Sequence, residues 1–242
     1  MNIHFVQHEV FEAPGAYLTW AENNNHNIQF SKVYEYVPLP DSIDNIDCLI
    51  VMGGPQSPDT TPDECPYFNA AAEMTFIKKC VDAGKIVIGV CLGAQLIGQA
   101  LGAGYAHSPE KEIGNFPIEL TPEGLSDQNI NHFKTPLIVG HWHNDMPGLT
   151  TDSKVLAKST GCPRQIVKYG EKVYGFQCHM DIRTEVARLL IHHETNLDGD
   201  SRLYNFVQSP GDILNYDYTE MNESLYTFLD KITGATDRSL YM

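Results

Sequence analysis

Apolar and polar positions fall into blocks along the first hundred residues, and the period changes from block to block. Ile3 to Val6 is a short apolar run of strand character. Pro14 to Glu22 suits a helix with proline in its first turn, where the preset φ fits and the missing N–H is no loss. Ile28 to Val33 alternates apolar with polar residues, as a half-buried strand does. Cys48 to Met52 is continuously apolar and is halted by Gly53-Gly54-Pro55. Phe68 to Ala83 carries apolar residues at helical spacing, with Gly84 as its stop. Lys85 to Gly89 reads as another strand, and Leu92 to Leu101 as a helix. Strands alternating with helices predict an α/β fold, with a mostly parallel central sheet and helices on both faces. Active sites in such sheets lie at the carboxyl ends of the strands, where Gly53-Gly54-Pro55 and Cys91 fall.

The middle of the chain has another rhythm. Phe116 to Leu120, Leu137 to His141, Lys154 to Lys158, Gln165 to Tyr169 and Val173 to Cys178 read as strands joined by short turns. With few helices between them, part of this region is expected to be antiparallel. Thr184 to His193 reads as a helix. Beyond Asn196 the chain turns polar and acidic, then Asp212 to Ile232 looks helical before an Asp-Arg-Ser tail. The expected organisation is a domain over residues 1–195 with a helical extension, 196–242, packed on it.

Charge removes two partner classes. With 31 acidic against 16 basic residues, the net charge of −15 disfavours nucleic acid and anionic membrane surfaces. No apolar stretch approaches the roughly 20 residues that span a bilayer, and the N-terminus lacks the basic start of a signal peptide. The six cysteines form no Cys-x-x-Cys pair, and several lie in apolar runs, as reduced cysteines do. These features together predict a cytoplasmic protein.

Chemistry concentrates in Gly89-Val-Cys-Leu-Gly-Ala-Gln95. A cysteine between two glycines, at the junction of a strand and a helix, has the form of a nucleophile elbow. The glycines answer crowding at the turn. A thiol at a helix N-terminus faces the positive end of the helix dipole, and the first free N–H groups, from Leu92 on, can hold an oxyanion. A buried core cysteine flanked by turn glycines is the plain alternative; the strand before and helix after favour catalysis. A base is offered by Tyr174-Gly-Phe-Gln-Cys-His-Met-Asp181. There a strand-like run ends at His179, and Asp181 in an extended segment points to the same side. His179 would take the thiol proton and Asp181 would fix its tautomer. A hydrogen-bonded structural histidine is the alternative, and Asp181 also suits a helix N-cap. Cys178 should face away into the core.

Gly53-Gly54-Pro55, the elbow, and Gly175-Phe-Gln-Cys-His-Met-Asp181 together resemble the class I, triad-type glutamine amidotransferases. His141-Trp-His-Asn-Asp145 and Cys162-Pro-Arg-Gln165 resemble, more narrowly, stand-alone proteins related to the amidotransferase domain of GMP synthase. The resemblance spans roughly residues 3 to 195 and implies a flavodoxin-like sheet. It implies that Cys91 attacks a glutamine carboxamide to form a γ-glutamyl thioester, with His179 as base and then acid. It implies an oxyanion hole from the N–H groups of Gly54 and Leu92, with Gln95, Gly53 and His143 on the substrate side. No cofactor is implied, and ammonia would pass to a separate synthetase subunit. The family ending His-Pro-Glu is here His179-Met180-Asp181: the charge stays, one methylene is lost, and φ at position 180 is freed.

Two further readings remain open: a γ-glutamyl peptide or conjugate hydrolase of the same fold, and a binding or regulatory protein without turnover. His141 and His143 share one face of a strand end, but no third ligand stands at metal spacing, so no metal is expected. They and Trp142 are expected to line or support the pocket. His192 and His193 read as a solvated pair. Tyr204, Tyr216, Tyr218 and Phe228 suit an extension that packs on the body or on a second copy in a homodimer.

Overall fold

The computed structural model describes residues 1–234, and the Asp-Arg-Ser tail expected from the sequence lies outside them. Its centre is a nine-stranded sheet. Five strands run parallel, β1 (Asn2–Gln7), β2 (Asn27–Lys32), β3 (Cys48–Val51), β4 (Ile86–Val90) and β9 (Val173–Phe176). Four continue it antiparallel, β5 (Tyr105–Leu120), β6 (Leu137–Pro147), β7 (Lys154–Lys158) and β8 (Ile166–Gly170), giving the order β2-β1-β3-β4-β9-β8-β7-β5-β6. β3 and β4 are apolar at every position because both faces are covered, as parallel strands require.

Two apolar layers flank the parallel half. On one side α2 (Ala70–Asp82) and α3 (Leu92–Ala100) seal Val6, Leu49, Val51 and Val87. Asn69 caps α2 by accepting from the Ala72 N–H. On the other side α1 (Gly15–Asn23), α5 (Thr184–His193) and α8 (Thr219–Thr233) bury Phe5, Ile50, Ile88 and Phe176. Residues beyond 196 join this layer. Phe228 and Leu225 are fully enclosed, and the Trp20 indole N–H donates to Asp230 at 2.7 Å. Of the four aromatics expected to pack, Phe228 and Tyr218 are buried, while Tyr204 stays 45% exposed.

The parallel elements match the sequence pattern; the antiparallel wing departs from it. β5 begins eleven residues before the expected Phe116, and β6 runs on to Pro147. Polar residues and Pro109 hide this strand in the sequence, whereas the β5–β6 register, interrupted by a bulge between His107 and Glu112, supplies the pairing. The C-terminal helix splits into α7 (Pro210–Leu214) and α8, after α6 (Leu197–Leu203) in the acidic stretch; α4 (Pro122–Ser126) was not foreseen either. Ser209 and Thr121, each followed by proline, cap α7 and α4.

Candidate active site

Strand register places the site. Val6 aligns with Val51, Val51 with Gly89, and Gly89 with Gly175. Two residues further on, the chain continues this row as His8, Gly53, Cys91 and Gln177, at the carboxyl ends of four adjacent strands. β9 lies directly beside β4, so His179, three residues past the end of β9, is delivered next to the elbow. β9 itself stops at Phe176, and residues 177–183 are irregular, held by a single antiparallel bridge between His179 and Gly140.

The elbow has the strain its sequence implies. Cys91 stands at φ 50°, ψ −108°, immediately before α3, a conformation L-residues keep only when their surroundings enforce it. The Cys91 N–H donates to the Phe176 carbonyl at 2.7 Å, and the Ala94 and Gln95 N–H groups both return to the Cys91 carbonyl. A side chain on Gly89 would overlap the Gly93 backbone, and one on Gly93 would overlap the Val51 carbonyl. Leu92 opens the helix, so its N–H has no intrahelical acceptor. Gly54 sits against it: a Cβ there would fall 3.1 Å from Leu92 Cδ2.

The Gly53-Gly54 loop is clasped from below. His8 Nδ1 lies 3.0 Å from the Gly53 carbonyl and Nε2 lies 2.8 Å from Glu73, so both nitrogens face acceptors and both carry protons. Burial opposes the charge of His8, but Glu73 outweighs it and raises the pKa. Neither His8 nor Glu73 was singled out from the sequence; the position of His8 just past a parallel strand was the available signal.

His179 is fully buried beside this loop. Its backbone N–H donates to the Gly140 carbonyl at 2.7 Å. Its Nδ1 lies 3.3 Å from Asp181 Oδ1, yet neither atom makes an aligned hydrogen bond, as expected of a carboxylate one methylene short. Burial works against a charged ring; the charge and contact of Asp181, the Cys91 sulfur and the charge of Glu12 overcome it and hold the pKa well above the histidine range. Asp181 caps no helix: α5 starts after Arg183, which makes no side-chain cap. The turn is instead fastened by Asn222 of α8, whose amide donates to the Met180 and Ile182 carbonyls at 2.9 and 3.1 Å.

Gln95 points to Gln177, donating to its Oε1 at 3.2 Å, while Gln95 Oε1 is buried without a partner. Gln177 Nε2 reaches Cys91 Sγ at 3.4 Å, and the Trp142 carbonyl stands 3.7 Å from the same sulfur. Cys91 is only 5% exposed. Cys178 is core, its thiol turned to the Gln165 carbonyl. His192 and His193 are both exposed, as expected, and the His193 ring also stacks on Phe11 with ring centres 3.7 Å apart.

His143 and His141 turn toward a residue distant in sequence, Glu112. Their nitrogens lie 3.3 and 3.6 Å from its carboxylate, which supplies the third metal-type group that sequence spacing hid. The Gln165 amide nitrogen stands among them, 2.6 Å from Glu112, 3.2 Å from each histidine and 2.9 Å from Ser159. Its two N–H groups and the Ser159 hydroxyl are shared among these acceptors. Burial drops the His141 pKa to about 4, so the cluster holds Glu112 against neutral His141. It ties the antiparallel wing together behind Trp142.

A family model for class-I glutamine amidotransferases matches residues 17–189. The chain belongs to that family. The glutamine amidotransferase-like protein YfeJ of Salmonella typhimurium is 53% identical over 235 residues, covering 97% of this chain and 98% of that protein. A glutamine-hydrolyzing GMP synthase of Aeropyrum pernix is 30% identical over 54% of this chain, which amounts to 25% of that protein. The crystal structure of SMU.1228c superposes with a TM-score of 0.95 at 52% identity, over 96% of this chain and all of that one. A Thermotoga maritima glutamine amidotransferase has the same fold, with a TM-score of 0.83 at 18% identity, covering 97% and 99% of the two chains. Among the described residues of this amidotransferase-family chain, no helix is long and apolar enough to cross a membrane.

Proposed function

We propose that this protein hydrolyses a γ-glutamyl carboxamide, with glutamine as the substrate, through a thioester on Cys91. The observation that carries the reading is the row of Gly53, Cys91 and Gln177 at one sheet end, with His179 bent back against Gly53, its Cε1 3.2 Å from where a Cβ would stand. The Cys91 sulfur attacks the carboxamide carbon, its proton passing to His179, and the oxygen takes up negative charge. The Gly54 and Leu92 N–H groups receive that oxygen, each donor contributing about 3 kcal/mol to the barrier reduction. The tetrahedral intermediate collapses as the C–N bond breaks and His179 protonates the leaving nitrogen, which departs as ammonia. Water, deprotonated by His179, then adds to the thioester; the C–S bond breaks, releasing glutamate and restoring the thiol.

Ammonia has a destination in this reading. By the likeness to part of a glutamine-hydrolyzing GMP synthase, we assign the ammonia to a synthetase acceptor. The covered sulfur fits a site that opens when such a partner docks. Ammonia release from glutamine, compared with release of the second residue from a γ-glutamyl dipeptide, tests the substrate. Glutaminase activity lost in Cys91→Ala is the expected result. Turnover confined to the dipeptide makes it a γ-glutamyl conjugate hydrolase, and turnover of neither, with acceptor candidates present, makes it a binding protein.

A further inference from the structure

Glu12 takes no part in the chemistry above, yet it is buried to 5% exposure on the segment that links β1 to α1. A Cβ on Gly53 would stand 2.5 Å from a Glu12 carboxylate oxygen and 3.2 Å from His179 Cε1. Both groups therefore press on the same bare side of Gly53. The segment is fixed there: the Ala16 N–H donates to the Asp181 carbonyl at 2.9 Å, and a side chain at Gly15 would collide with that carbonyl. The Glu12 carboxylate thus approaches His179 across Gly53, by a route separate from Asp181.

We propose that Glu12 is a positioning residue, a second carboxylate that holds the His179 imidazolium in place across Gly53. The proposal rests on the reading of His179 as the base. The Asp181 contact leaves room for the role, since at 3.3 Å it lacks an aligned hydrogen bond. In a buried site a carboxylate a few ångströms away favours the cationic ring strongly. The titratable groups facing His179 are Asp181, Cys91, Glu12 and His141; those facing Glu12 are His179, Asp181, His8 and Glu9. Burial raises the Glu12 pKa, Asp181 and Glu9 add to the rise, and His179 and His8 oppose it. Glu12 and His179 thus each favour the other's charged form.

The test reads the His179 ring by NMR in full-length protein labelled at histidine, with the signal assigned by its loss in His179→Gln. Glu12→Gln should lower the His179 pKa by at least about half a unit and slide both limbs of the kcat/KM profile down in pH by as much. Glu12→Asp, which keeps the charge, should hold the pKa between the two. A merely structural Glu12 would scale activity at all pH values and leave the His179 pKa in place; that result overturns the proposal. A shifted pKa in a protein that turns over no γ-glutamyl substrate would keep the coupling and reject the reaction. Should Glu12→Gln not fold, the pair is read from its other side. In His179→Gln, glutamate-labelled, the Glu12 pKa must rise with the cation gone, and an unmoved value contradicts the pairing.

Discussion

Cys91 and His179 leave neighbouring strands, yet their backbones are held by opposite means. The elbow is local. Its φ of 50°, the clash of any Gly89 side chain with Gly93, and the Ala94 and Gln95 bonds arise within one strand-turn-helix unit, and only the adjoining strands, through Val51 and Phe176, close it from outside. The His179 turn follows no regular strand or helix. Gly140 of β6, Asn222 of α8 and the Ala16 N–H of α1 fasten it from three distant parts of the chain. A cysteine enforced by the crowding of its own turn and the two adjoining strands depends little on the rest of the chain. A base hung between remote elements is as firm as those contacts, and the family's proline is absent from its turn. The C-terminal helix takes over part of the restraint that proline would give.

The comparison breaks most visibly at the elbow. Gly93→Ala drives a methyl into the Val51 carbonyl and should cost at least about 4 kcal/mol or abolish folding; denaturant unfolding decides. Acid offers a control outside both regions. Burial lowers the His4 pKa from 6.5 to about 4, so neutral His4 contributes stability that is complete above pH 6.5 and lost as pH falls toward 4. The loss should reach up to about 3 kcal/mol. It should be equal in wild type and Asn222→Ala, and smaller by the His4 share in His4→Gln, because buried His141 carries a similar drop.

Smaller effects belong to the His179 turn. Asp181→Asn should reduce kcat by roughly 10- to 100-fold, less than the roughly 10⁴-fold seen where an aspartate makes an aligned bond to its histidine, because the contact here is long. A loss as large as that value would show that Asp181 tightens in the reacting complex. Asn222→Ala strands two buried carbonyls and should cost about 1–2 kcal/mol, lowering kcat with little change in KM. A loss of stability with kcat intact would mean that α8 supports the fold and not the turn.

Sequence patterning reveals what is local. The parallel strands, α1, α2, α3 and α5, and the elbow follow from apolar periodicity, glycine and proline, because each is decided within about fifteen residues. Residues held by distant partners stay hidden. Glu112 lies in a polar stretch, and its tie to His143 exists only once β5 and β6 pair. Glu12, His8 and Glu73 carry no motif; they meet at the row of strand ends after the sheet assembles. The split of the C-terminal helix at Asn215–Tyr218 escapes periodicity because both halves share one apolar face against the body.

The central claim is that Cys91 is a nucleophile for a γ-glutamyl carbonyl. Intact-protein and peptide mass spectrometry after exposure to a glutamine analogue bearing a diazoketone tests it most directly. One adduct per chain is expected, on Cys91, slowed by excess glutamine and absent from both Cys91→Ala and His179→Ala. Unlabelled Cys91 in folded protein, with candidate acceptor enzymes present, or an adduct on Cys65 or another thiol instead, would contradict it.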